Sequence, residues 1–75
     1  MSPKQPRVSG KDFLAAMKKI GFEVIRIKGS HHFIRHEDGR STVVPVHRNE
    51  TLGPGLLGKI LRDCETNREE LRELL

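Results

Sequence analysis

A chain of 75 residues with a single cysteine, Cys64, has room for one domain and cannot form an internal disulfide or a zinc site of paired thiolates. Its formal net charge of +4 is unevenly spread: residues 1–62 carry twelve basic and five acidic side chains, and residues 63–75 carry two and five. A basic body attracts polyanions such as nucleic acid. No apolar run approaches the ~20 residues of a membrane span, and the start lacks a signal peptide's apolar core, so a cytoplasmic protein without membrane partners is expected.

Residues 1–8 contain Pro3 and Pro6 and no apolar period, and read as a flexible tail before a single domain over 9–75. Ser9 stands three residues before Asp12, as in a capping box. Phe13, Leu14, Met17 and Ile20 recur at helical spacing, and Gly21 offers a left-handed stop. A first helix over about Gly10–Ile20 follows, with Phe22 folding back onto Met17.

Three β-like runs come next. Phe22–Lys28 is rich in branched residues and ends at Gly29-Ser30; Gly29 can take the positive φ of a turn. His31–His36 precedes Asp38-Gly39, a strong hairpin signal. Ser41–Val46 contains Pro45, which cannot donate to a ladder and so suits an edge or a strand end. The apolar alternation is imperfect in every run and does not reveal which sheet face is buried.

Pro54 suits the first turn of a second helix, with Leu56, Leu57, Ile60, Leu61 and Cys64 as its apolar stripe. Thr66 and Glu69 form a second capping box that opens a short helix to Leu75. The order is α-β-β-β-α plus a terminal helical turn. The economical α+β solution is a three-stranded antiparallel sheet with its helices on one face. Phe13, Phe22 and Phe33 read as core, and Cys64 as a small core residue.

Four histidines demand a chemical account. His32 and His36 are roughly 13 Å apart on a strand, too far to share one ion, and His31 and His32 point to opposite faces. No metal site and no cofactor are expected. Acid–base chemistry fits better. A histidine can take and give a proton near neutral pH, and RNA supplies its own nucleophile in the ribose 2′-OH. Lys28, His31, Arg35 and His47 are the residue types that such a site uses. Two non-catalytic readings stay open beside it: an RNA-binding module, and a protein-interaction domain whose basic face meets an acidic partner.

The ordered set Lys28-Gly29-Ser30-His31-His32, Asp38-Gly39-Arg40 and Val44-Pro45-Val46-His47 resembles the HicA toxin family, the mRNA interferases of toxin–antitoxin pairs. The likeness begins at Val8-Ser9-Gly10, runs through Leu14…Ile20-Gly21-Phe22 and Ile60-Leu61-Arg62, and covers about residues 8–70. It implies a double-stranded-RNA-binding-like α-β-β-β-α fold, cleavage of single-stranded mRNA as substrate, and neutralisation by a HicB-type antitoxin. It implies His31 as the catalytic histidine, since the family's histidine follows Gly-Ser or Gly-Gly. The expected RNA contacts are Lys28, Ser30, Arg35, Arg40, His47, Arg48 and Lys59. An acidic antitoxin is expected to cover the sheet around His31. The chain departs from the family where its second helix begins. That segment usually reads lysine-glycine-threonine-leucine, and here it is Pro54-Gly55-Leu56-Leu57, with no hydroxyl and one backbone N–H lost.

Overall fold

The computed structural model describes residues 7–48 and 50–75. The elements run α1 (Gly10–Lys19), β1 (Phe22–Lys28), β2 (His31–His36), β3 (Ser41–Pro45), α2 (Pro54–Asp63) and α3 (Arg68–Leu74). The strands form one antiparallel sheet in the order β1-β2-β3. This is the expected α+β fold of a helix, three antiparallel strands and two further helices.

The helix ends follow local chemistry. Ser9 is the N-cap of α1, and its hydroxyl accepts from the Asp12 amide at 3.1 Å, satisfying one of the orphan donors of the first turn. Gly21 takes the positive φ that ends the helix, at 100°. α2 starts at Pro54 without a side-chain cap. α3 starts one residue later than the Thr66–Glu69 pattern suggests. Asn67 is its N-cap and accepts from the Glu70 amide. Thr66 donates its hydroxyl to the Glu70 carboxylate instead.

The core lies between the helices and one face of the sheet. Phe13, Ala16 and Met17 of α1 meet Leu57, Ile60, Leu61 and Cys64 of the α2 segment, Leu71 of α3, and Phe22, Ile34 and Val44 of the sheet. Burial pushes the Cys64 thiol up to about 11, which keeps it in the neutral form of an inert core residue. Leu56 is not part of this core; it is 37% exposed on the outer side of α2. Val8 belongs to the core although it stands within the segment read as a tail. It is 1% exposed, and its carbonyl accepts from the Leu52 amide at 2.8 Å. Arg7 is exposed, and residues 1–6 of that tail lie outside the described residues.

The register of β1 against β2 shifts once, between Val24 and Arg26. Val24 pairs with Ile34, whereas Arg26 pairs with Phe33, Ile27 with His32 and Lys28 with His31. One extra residue, Ile25, is thereby inserted as a β-bulge. Side chains alternate between faces along a strand, so the insertion reverses the facing of everything after it. Without it Arg26 would lie across from His32, on the helix side. With it, Arg26 and Lys28 share the outer face with Phe33 and His31. This explains the broken alternation of Phe22–Lys28.

Candidate functional site

The uncovered face of the sheet carries the residues that chemistry points to. α1 and α2 lie against the opposite face, where Ile34 and Val44 are buried, and α3 packs on α1. In the central strand β2, alternation sends His32, Ile34 and His36 toward the helices and His31, Phe33 and Arg35 away from them. His31 and Arg35 are exposed, and Phe33 is half-buried. Lys28 in β1 and Pro45 in β3 lie directly across from His31. Directly opposite residues on one face have Cβ atoms about 4.5–5.5 Å apart, so the Lys28 ammonium is within reach of whatever His31 touches.

The turn that presents His31 is pinned from two sides. Gly29 has φ of 60°, a conformation that glycine adopts at little cost. The Ser30 carbonyl accepts from the Val46 amide at 2.8 Å, and His32 Nδ1 lies 3.2 Å from the same oxygen. His32 thus helps to shape the turn behind His31. The Val46 bond carries the ladder one step past β3 and brings His47 to the level of Gly29-Ser30. His47 and Arg48, both exposed, border a shallow cleft against the start of α1, which Arg7 and Lys11 also line.

The expected RNA contacts therefore divide. Lys28, Ser30 and His31 meet at one end of the open face, Arg35 stands at its other end, and His47 and Arg48 lie beside the first group. Arg40 and Lys59 are placed elsewhere. Arg40 Nη1 donates to the Cys64 carbonyl at 2.7 Å, its Nε donates to Asp38 at 2.8 Å, and its guanidinium lies over the Phe22 ring at 5.1 Å. Those contacts tie the β2–β3 turn to the end of α2. Lys59 stands on α2, on the helix side, and donates to Asp63 Oδ2 at 2.9 Å.

Asp63 also accepts from the Thr42 hydroxyl at 2.8 Å. These bonds, Lys59 first and Thr42 second, hold its carboxyl below the ordinary aspartate range. Asp38 is lowered as well, chiefly because it accepts from the Arg40 amide. Both carboxylates support the fold away from the open face.

Two residues of the open face escaped the sequence reading, Arg26 and Phe33. Phe33 does not join Phe13 and Phe22 in the core; it faces outward, and the Arg26 guanidinium stands 5.7 Å from its ring centroid. The signal that could have found Phe33 is its distance of two from His31, which puts both on one face of a strand. Arg26 could not be assigned a face without the bulge. Among the described residues no group of three or more His, Cys, Asp or Glu is placed to hold a metal ion.

The comparison with family models decides the kinship. The family described as the HicA toxin of bacterial toxin–antitoxin pairs matches residues 10–65, well over half of the chain. The chain belongs to the HicA toxin family. It is thus a toxin of the toxin–antitoxin kind, for which a cognate antitoxin is the implied partner. The match spans all three strands, the Gly29-Ser30-His31 turn, α1 and α2. A search of curated proteins returns no match. Among the described residues no helix is long and apolar enough to cross a membrane.

Proposed function

We propose that this toxin is a metal-independent endoribonuclease that cleaves mRNA with His31 as its proton-transfer group. The observation that carries the reading is the placement of His31: exposed, on the uncovered face, with Lys28 directly across from it. An elongated polyanion can lie across such a face, which none of the described elements walls off.

The chemistry needs few parts. The ribose 2′-oxygen attacks the adjacent phosphorus, a new O2′–P bond forms, and the P–O5′ bond breaks. The products are a 2′,3′-cyclic phosphate and a free 5′-hydroxyl. His31 accepts the 2′-proton or donates one to the leaving 5′-oxygen, and solvent completes the exchange. Lys28 stabilises the negative charge that builds on the phosphoryl oxygens. The nucleophile belongs to the substrate, so no bound metal is required to create one. Lys28, Ser30, Arg35, His47 and Arg48 are the RNA contacts retained in this reading. A HicB-type antitoxin, acidic where it meets this basic face, would silence the toxin by occupying it. An mRNA target places the activity in the cytoplasm.

The test is cleavage of single-stranded RNA by the purified chain, with and without excess chelator, beside His31→Ala. A general acid–base group contributes about 10²–10⁴ in rate. The expected result is chelator-resistant cleavage that falls by that factor in a folded His31→Ala variant, its fold verified by circular dichroism. Full activity in the folded variant overturns the role of His31. Activity abolished by chelator and restored by one divalent ion overturns metal independence.

A further inference from the structure

The open face holds one feature that phosphate binding and proton transfer leave unused. Phe33 sits in the middle strand, with Arg26 across from it in β1 and Val43 across from it in β3. The chain has three phenylalanines and no tyrosine or tryptophan. The other two, Phe13 and Phe22, are 0% and 2% exposed in the core. Phe33 is only half-buried on this face, and the Arg26 guanidinium stands 5.7 Å from its ring centroid; apolar ring surface left in water is unfavourable, and a stacked group would remove it. A cation–π contact at a half-exposed site is weak, so Arg26 can give way to a base.

We infer that Phe33 is a stacking platform for an unpaired nucleobase of the RNA, with Arg26 folding over the bound base. The inference rests on the proposed RNA-cleaving role and states how the substrate is held. Three observations support it. The ring is central on a face whose charged rim includes Lys28 and Arg35, which suits a strand with bases inward and phosphates outward. The ring is two residues from His31, roughly 6.6 Å along the strand, so a base on Phe33 fixes a neighbouring phosphodiester near His31. The bulge at Ile25 is what brings Arg26 to this face, and a guanidinium plane stacks on bases as well as on aromatic rings. Stacking is tolerant of sequence because every base has a π-face. The ligand class is therefore single-stranded RNA with accessible bases; a duplex hides them.

The experiment measures binding of the full chain to a short, uniformly 2′-O-methylated oligouridine, which lacks the nucleophile and cannot be cut. A strand of equal length without bases is the control. Base–aromatic stacking corresponds to about 5- to 150-fold in affinity. Phe33→Leu is expected to weaken binding to the base-bearing strand by that factor and to leave binding to the abasic strand unchanged. Phe33→Trp keeps a platform and supplies the chain's single tryptophan, whose emission is expected to be quenched as RNA binds. This second variant decides the matter even if the leucine variant is unstable. Equal affinity of the wild type for both strands, or an unquenched Phe33→Trp at saturation, overturns the stacking platform and leaves the face to phosphate contacts or to a protein partner. If the wild type still cleaves intact RNA in that case, the ribonuclease reading survives alone. If it neither binds nor cleaves RNA, both fall together.

Discussion

The two faces of the sheet differ by a single residue of alternation and carry unlike sets of side chains. One carries Phe22, Ile34, Thr42 and Val44, all buried under the helices. The other carries Arg26, Lys28, His31, Phe33 and Arg35, and no element among the described residues covers it. A domain this small gains roughly 3–5 kcal/mol from its core, so the covered face has little stability to spare. The uncovered face is relieved of that duty and can hold groups that a core would not tolerate. Stability and chemistry are thus separable by substitution, although neighbours in sequence belong to opposite sides.

The largest expected contrast sets Phe13→Ala against His31→Ala. Emptying a buried phenylalanine site costs about 3–5 kcal/mol, enough to unfold most molecules of this size, whereas an exposed substitution such as His31→Ala should stay within about 0.5 kcal/mol. Urea unfolding of both variants checks this. Comparable losses from the two would break the division between the faces.

A smaller effect appears with pH. Asp63 is held below the ordinary aspartate range by Lys59 and Thr42. A carboxylate with a depressed folded value binds protons more weakly in the folded state than in the unfolded one. Its contribution is present above about pH 4, the unfolded value, and is lost as pH falls through the lower folded value. Asp63→Asn should lower stability at neutral pH and remove part of the acid dependence. Denaturation midpoints followed from neutral pH to about pH 2 would show it. An unchanged acid limb would mean that the Thr42–Asp63–Lys59 link between sheet and α2 contributes nothing.

The smallest effect belongs to the open face. Arg35→Ala should leave the urea midpoint unchanged while flattening the slope of log affinity for single-stranded RNA against log salt by about 0.7, the value for one phosphate contact. A slope identical to that of the wild type would shift the RNA path away from the Arg35 end of the face.

What the sequence revealed follows the range over which each feature is decided. The Ser9 cap, the Gly21 stop, the Asp38-Gly39 hairpin and the Pro54 start are local choices, and the structure has each of them. The run His31–His36 after Gly29-Ser30 is equally local, and it is a strand that follows a turn. Features set by distant partners stayed hidden. Arg40 looks like one more surface cation until the Cys64 carbonyl, 24 residues away, accepts from it. Leu56 fits the apolar stripe of its helix and is nonetheless left exposed at the stripe's margin. Phe33 has the composition of a core residue and the position of a surface one, and only its spacing of two from His31 hints at the second. Asn67 and Thr66 are both competent caps, and the chain uses the later one.

The bulge also bears on self-association. β1 is an outer strand, and Val24, Ile25 and Ile27 leave 45%, 59% and 60% of their surface exposed. An unprotected apolar edge of this kind is a template for cross-β stacking between copies. The inserted Ile25 bends that edge and spoils the straight ladder that a stacked copy would need, and Glu23, Arg26 and Lys28 add charge along it. The residue that aligns Lys28 with His31 thus also interrupts the edge along which a second strand could pair.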